Sequence, residues 1–150
     1  MKRFCVDWAF MSRTYWEHYS HPADMGIRGF GPTKEEAFGQ AGLAMTAVIT
    51  DLETVEPREM VEISCEEPDD ELLFVGWLNA LLYEVATRRM LFGKFEVNIT
   101  DNQLQAKAWG EEIDVKKHSP SVEVKAATYA DLKVEQDKEG NWLVQCIVDI

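Results

Sequence analysis

An acidic turn near the start of the sequence is the first place where side-chain chemistry could be concentrated. Residues 15–31 predict a strand, a tight turn and a second strand, with extended chain resuming at Ile27. Asp24 lies between Pro22 and Gly26, so a turn rather than a flexible loop places its carboxylate. Such a carboxylate suits a ligand or a metal ion, but a single carboxylate does not bind a hard cation tightly. The rest of the chain must therefore supply further ligands to this turn.

The same stretch supports a rival interpretation based on histidine. His18, His21 and Asp24 follow one another at a spacing of three, which could form a transition-metal site of a hydrolase. On an extended chain this spacing turns successive side chains to opposite faces, so the three groups converge only if the turn folds sharply. In the alternative interpretation His18 is an ordinary strand residue and His21 orders the turn, where it can still assist a ligand.

The remaining sequence offers little for catalysis. No serine, cysteine or lysine in it lies beside a convincing base, and no glycine-rich phosphate loop precedes a helix. The three cysteines, Cys5, Cys65 and Cys146, are widely spaced and form no Cys-x-x-Cys pair. They indicate neither a disulfide framework nor a zinc site, which is typical of a protein of the reducing cytoplasm. We expect no catalysis by this chain alone.

Charge and length exclude further classes of function. The 150 residues predict one domain, with residues 1–14 as an N-terminal extension and residues 15–150 as the domain itself. With 27 acidic and 15 basic residues the formal net charge is −12, and no basic cluster is present for direct nucleic-acid binding. The acidic residues can instead confer solubility, steer a basic partner or provide oxygen ligands for a cation. The apolar runs are too short to span a membrane.

Two helices are predicted to position the acidic turn. The first begins with Thr33 as its cap, has Glu36 in place for a capping box, and ends at 50–51. Its apolar residues recur at spacings of three and four, which indicates one buried face. The second helix begins in the acidic stretch 68–71 and ends at 88–89. Its apolar stripe consists of Phe74, Leu78, Leu81, Leu82 and Val85.

About seven strands are predicted around these helices. Alternating apolar and polar residues indicate a strand over 61–66, a hairpin with its turn at 101–102, and a last strand over 142–150. Residues 110–121 are predicted to be a loop and residues 122–135 to be largely extended. Two helices among mostly hairpin-connected strands favour an α+β fold, with one sheet or half-barrel and the helices on one side.

Several segments, taken together, resemble the archease family. The resemblance covers roughly residues 15 to 150, and the acidic turn combined with a chain that ends in Asp-Ile is its most specific part. The matching segments are His18-Tyr-Ser-His-Pro-Ala-Asp-Met-Gly-Ile27, Thr33-x-x-Glu-Ala-Phe38, Ala41-x-x-Ala-Met-x-x-Val-Ile-Thr-Asp51, Trp77-Leu-Asn-Ala-Leu-Leu-Tyr83, Val124-Lys-Ala-Ala-Thr-Tyr129 and Val148-Asp-Ile150.

The resemblance implies a fold and a function. The expected fold is α+β, with a strand-helix-strand-strand module set into a further sheet. The expected protein is a cytoplasmic, non-catalytic activator of the GTP-dependent, RtcB-type RNA ligase of tRNA splicing. The resemblance implies that the protein promotes formation of the covalent guanylate intermediate of that ligase, so that the ligase turns over repeatedly. The protein is then expected to contact GTP and RNA only through the ligase. The alternatives are a chaperone or modulator of nucleic-acid-processing proteins, and a metal-dependent hydrolase.

The resemblance also implies a divalent-cation site formed by Asp24, Asp149 and the terminal carboxylate of Ile150. Three carboxylates form an oxygen-only site, which favours calcium, with magnesium or manganese as further possibilities. In the alternative interpretation Asp24 only caps its turn and Asp149 is a solvated acid at a strand end. Lys125 is a further candidate contact to a phosphate or carboxylate of the ligase, besides His21. The family often has His after the Thr-Tyr pair, where this chain has Ala130.

Overall fold

Two antiparallel sheets and two long helices form the fold in the computed structural model, which describes residues 14–150. All but one residue of the predicted N-terminal extension lies outside the described residues. The elements in chain order are β1 (Tyr15–His21), β2 (Asp24–Gly31), α1 (Lys34–Ile49), β3 (Glu59–Glu66), α2 (Asp70–Arg88), β4 (Met90–Thr100), β5 (Gln103–Glu112), α3 (Val115–His118), β6 (Ala126–Ala127), β7 (Lys133–Gln136) and β8 (Trp142–Asp149). The predicted α+β class is confirmed.

The strands divide into two sheets, where the residue pattern alone indicated one sheet or half-barrel. The first sheet has the order β1-β2-β8-β6, and β7 also pairs with β8. The second sheet has the order β3-β5-β4, and with α2 it forms the expected strand-helix-strand-strand module. Alternation shows which face of a strand is buried but not which strand it pairs with, so the division was not visible in the residue pattern.

The helix α1 packs against both sheets and brings them together. Its Thr33 cap is confirmed, since the Thr33 hydroxyl accepts a hydrogen bond from the backbone N–H of Glu36. A Cβ atom on Gly29 of β2 would lie 2.3 Å from the backbone carbonyl oxygen of Ala37, so only glycine allows α1 to approach so closely. The indole N–H of Trp77 in α2 donates to the Phe38 carbonyl at 2.9 Å and joins the two helices in the core.

The segments between the last strands differ from the prediction. Where residues 110–121 were expected to be a loop, β5 continues to Glu112 and the short helix α3 follows. Between residues 122 and 135 only β6 and part of β7 are strands. The last strand ends at Asp149, one residue before the predicted end. In residues 14–150 no helix is both long and apolar enough to cross a membrane.

Candidate cation site at the acidic edge of the first sheet

The hairpin of β1 and β2 places Asp24 at the end of the first sheet. His21 and Asp24 are opposite each other and close a turn formed by Pro22 and Ala23. Ala23 has a φ of 64°, the left-handed backbone that such a tight turn requires. Asp24 is partly exposed and is the first residue of β2, so the expected turn is confirmed and extended chain resumes three residues before Ile27.

Asp149 lies next to Asp24 on the neighbouring strand. In the pairing of β2 with β8, Met25 is opposite Val148 and Gly26 is opposite Ile147, so the next step of the same register brings Asp24 beside Asp149. Residues directly opposite each other share a face, with Cβ atoms roughly 5 Å apart. Asp149 is exposed. The structure therefore brings these two predicted ligands together.

The third predicted ligand is the carboxylate of Ile150, the residue that follows Asp149. The Ile150 side chain packs against the hydrophobic core, which fixes the position of the last residue. The backbone N–H of Lys125 donates to the Asp149 carbonyl at 2.7 Å, and Ala126 is opposite Asp149. Core packing and main-chain pairing thus hold the chain terminus beside the two aspartates. We call Asp24, Asp149 and the Ile150 carboxylate the acidic edge.

The donor set of the acidic edge fits a hard cation. Within residues 14–150 no lysine, arginine or histidine forms a salt bridge with Asp24 or Asp149. The same part of the chain contains no group of three or more His, Cys, Asp and Glu side chains that could hold a metal ion. With the predicted carboxylate of Ile150 as the third donor, all three donors would be oxygens, as calcium and magnesium prefer.

The histidines do not join a shared site with Asp24. The Nε2–H group of His18 donates to the Ala44 carbonyl of α1 at 2.7 Å, which places His18 on the face of the sheet that α1 covers. His21 and Asp24 are paired on the opposite, outer face. The convergence required for a hydrolase site is therefore absent, because β1 stays extended through both histidines. His21 remains exposed beside the acidic edge.

Lys125 lies at the acidic edge through its backbone. Its N–H group holds the Asp149 carbonyl, and its side chain is exposed. Within the described residues Lys125 forms no salt bridge with either aspartate. Its ammonium group is therefore available to an external anion close to the two carboxylates.

A polar network on the outer face was missed by the sequence reasoning. Gln145 is 3% exposed, and its side-chain oxygen accepts from Arg28 Nε at 2.7 Å while its Nε2 donates to the Asp131 carbonyl at 3.1 Å. The Tyr19 hydroxyl donates to Asp131 Oδ2 at 2.8 Å. Burial is the larger cause of the raised pKa of Tyr19, and this hydrogen bond raises it further. The sequence contained one indication of this network. Ile147 is apolar although its position in the alternation of β8 faces outward, which indicates that this face of the sheet is covered.

A second cluster of charges surrounds Glu111 at the end of β5. Its side chain is 9% exposed and receives Lys117 Nζ at 2.8 Å, the Glu56 backbone N–H at 2.9 Å and His118 Nε2–H at 3.0 Å. Burial opposes ionisation of Glu111, but these hydrogen bonds outweigh it and lower its pKa to about 2. His118 Nδ1 accepts from the Asp114 N–H, so both ring nitrogens have partners. Glu111 is therefore satisfied within the chain.

Comparisons with known proteins place the chain among archeases. Residues 16–150 match the model of the archease protein family. The chain is 44% identical over 139 residues to protein archease of Thermococcus gammatolerans, covering 90% of this chain and 98% of that protein. It is 42% identical to protein archease of Pyrococcus furiosus with the same coverage.

Two solved structures share the fold. The solution structure of protein 1598 from Methanobacterium thermoautotrophicum superposes with a TM-score of 0.79 at 34% identity, covering 90% of this chain and 98% of that one. The crystal structure of an archease from Thermotoga maritima, described as a possible chaperone, superposes with a TM-score of 0.59 at 18% identity, covering 89% and 96%. This second likeness concerns the fold alone.

Proposed function

Because this chain belongs to the archease family, we propose that it is a non-catalytic activator of a GTP-dependent RNA ligase of the RtcB type. In this role it promotes guanylylation of the ligase, so that the ligase turns over repeatedly in tRNA splicing or RNA repair. The protein contacts GTP and RNA only through the ligase, in keeping with its net charge of −12. The expected compartment is the cytoplasm.

The observation that carries this proposal is the composition of the acidic edge. Asp24 and Asp149 are adjacent at one end of the first sheet, beside the chain terminus, and neither is in a salt bridge within the described residues. A carboxylate group with no internal counter-ion is suited to an external one. We assign the cation, calcium in the first place and magnesium or manganese otherwise, to these two side chains and the Ile150 carboxylate.

The acidic edge would act by entering the nucleotide site of the ligase for a short time. When bound, a divalent cation supplies positive charge for phosphate oxygens in that site. Asp24 and Asp149 orient the edge, and Lys125 offers its ammonium group to a phosphate or carboxylate of the ligase. Acceleration of guanylylation requires that these contacts be stronger in the transition state than in the ground state.

The buried Cys146 and the half-buried Cys65 support a non-catalytic role. Burial raises the pKa of the Cys146 thiol to about 12. Burial, with a smaller contribution from Glu67, raises the pKa of Cys65 to about 11. Both are protonated near neutral pH and are poor nucleophiles. Among the described residues, therefore, the cysteines offer no nucleophile for covalent catalysis.

The test is multiple-turnover RNA ligation by the cognate ligase with GTP and a divalent metal. The ligase is assayed alone, with this protein, with the Asp24→Ala variant and with Glu62→Ala, which removes an exposed carboxylate from the second sheet. We expect the wild type and Glu62→Ala to restore repeated turnover and Asp24→Ala to fail. Equal stimulation by all three proteins would leave activation standing but remove the acidic edge from it. No stimulation by the wild type would refute the activator role.

A second candidate function is that of a chaperone or modulator of nucleic-acid-processing proteins. It is favoured by the description of the Thermotoga maritima relative as a possible chaperone. This role predicts that the protein suppresses aggregation of a thermally unfolding client without any dependence on nucleotide. The same Asp24→Ala variant separates the two functions, because a chaperone surface does not require that carboxylate.

A further inference from the structure

Residues 128–131, which we call the strap, run beside β8 between β6 and β7 and reach the outer face of the first sheet at Asp131. The Thr128 N–H donates to the Ile147 carbonyl at 3.0 Å, and the Ile147 N–H donates to the Ala130 carbonyl at 3.1 Å. A single residue of β8 therefore holds the strap on both sides of Tyr129. Ala130 takes part through its backbone, since its carbonyl accepts from Ile147 and its N–H donates to Thr128 Oγ1 at 3.2 Å, so neither hydrogen bond requires a particular side chain there.

The far end of the strap is fixed to the outer face by side chains. Gln145 and Tyr19 hold the carbonyl and the carboxylate of Asp131 respectively. Ile147, whose backbone holds the strap, is 1% exposed, although it lies outside the main hydrophobic core. Hydrogen bonds at both ends thus leave the strap backbone little freedom.

Tyr129 is 67% exposed in the middle of this fixed strap. Within residues 14–150 its ring makes no aromatic or cation–π contact and its hydroxyl no hydrogen bond to the protein. It follows Ala126, the residue opposite Asp149, by three positions, so its backbone lies near the acidic edge. A tyrosine on a rigid backbone offers a large contact area at low entropic cost, which is typical of energetic hot spots in protein interfaces.

We propose that Tyr129 is an anchor for the partner protein, with its ring packing against the ligase surface that surrounds the acidic edge when the two proteins bind. The inference rests on the proposed function, since the ligase is the partner. The carboxylates of the edge approach the nucleotide site, while the Tyr129 ring supplies apolar contact area that charged groups cannot. The strap holds the ring ready for that contact before binding.

The experiment measures the affinity of the cognate ligase for the full-length protein. The variants are Tyr129→Ala, Tyr129→Phe and the matched control Tyr83→Ala, which removes a tyrosine that is 64% exposed on α2. We expect Tyr129→Ala to weaken binding about tenfold or more, and Tyr129→Phe and Tyr83→Ala to stay within about twofold of the wild type. Unchanged thermal unfolding of all variants confirms that the fold is intact, as an exposed side chain predicts.

Each other outcome overturns a stated part of the proposal. If Tyr129→Ala binds as the wild type does, Tyr129 is no anchor, while the activator role survives. If Tyr129→Phe loses as much affinity as Tyr129→Ala, or Tyr83→Ala loses as much, packing of this particular ring is refuted. If the wild-type protein itself does not bind the ligase, both the anchor and the proposed function fail.

Discussion

Two groups of carboxylates in this protein have opposite surroundings. Around Glu111, the closed cluster consists of Glu56, Arg58, Glu111, Lys117 and His118, in which cations and N–H groups of the chain surround the acids. At the acidic edge, Asp24 and Asp149 are neighbours without a salt bridge to any described residue. The first group has its counter-charges within the fold, and the second has none among the described residues.

The comparison shows why a count of acidic residues says little about function. The carboxylates of both groups are among the 27 acidic residues of the chain, and both groups lie at the ends of strands. What differs is whether the fold supplies a counter-charge. Like charges placed together without compensation cost free energy, so they persist where a ligand or partner offsets that cost. The predictions below test this contrast.

The largest effect is expected from the closed cluster. Replacing Glu111 with alanine leaves the buried ring of His118 and the Glu56 N–H without their acceptor, and deprives Lys117 of one partner. We expect Glu111→Ala to lower the free energy of unfolding by about 3 kcal/mol, as is usual when one member of a buried ionic group is removed. The measurement is denaturant unfolding, with Glu112→Ala, an exposed neighbour on β5, as the control. A loss no larger than that of the control would show that the closed cluster is not structural.

The pH dependence of stability provides a second test of the role of Glu111. The pKa of Glu111 is lowered from 4.5 to about 2 in the folded protein, so its contribution to stability is complete above pH 4.5 and is lost as the pH falls towards 2. We expect unfolding curves of the wild type to shift in this window, and those of Glu111→Gln to shift less. Parallel pH dependence in the two proteins would contradict the assignment of this transition to Glu111.

The acidic edge can be broken without touching a side chain. Adding one residue after Ile150 moves the terminal carboxylate away while keeping Asp24 and Asp149. We expect the affinity for calcium to fall about tenfold because one of three anionic ligands is displaced. Thermal unfolding in the absence of calcium should not change. Unchanged calcium affinity in the extended protein would remove the terminus from the site.

The smallest effect is expected from the hydrogen bond between Tyr19 and Asp131, which holds the far end of the strap. Tyr19→Phe removes only the hydrogen bond to Asp131 and keeps the ring. We expect a loss of stability of about 0.5–1 kcal/mol, together with faster amide hydrogen exchange in residues 128–131. Exchange in the closed cluster should stay unchanged, which separates local loosening from a general loss of stability.

Much of the fold was predictable because local patterns determine it. The capping residue Thr33, the helix periodicity and the hairpin at 101–102 depend on near neighbours in sequence. The grouping of Asp24 with Asp149 was given by the family resemblance, and the register of β2 with β8 shows its physical basis. Periodicity alone did not reveal that pairing, because it joins residues more than a hundred positions apart.

The closed cluster and the strap could not be predicted for a related reason. Glu111 meets Glu56 through the pairing of different strands, and no spacing in the sequence encodes that contact. The strap lies in a stretch that was predicted to be extended, and its course depends on Gln145, whose two side-chain hydrogen bonds are made within the fold. Polar side chains at the outward-facing positions of a strand normally indicate a face that is exposed to solvent. Here the outward face is covered, and only Ile147 gave a sign of it.

The most direct test of the contrast between the two groups is a calorimetric titration of the metal-free protein with calcium. We predict one ion bound per chain by the wild type and by Glu62→Ala, and binding weaker by about 100-fold or more in Asp24→Asn. That result would establish the acidic edge as a cation site, in which an external ion supplies the counter-charge that the chain does not. An absence of binding by the wild type up to millimolar calcium, or equal affinity in Asp24→Asn, would contradict the account.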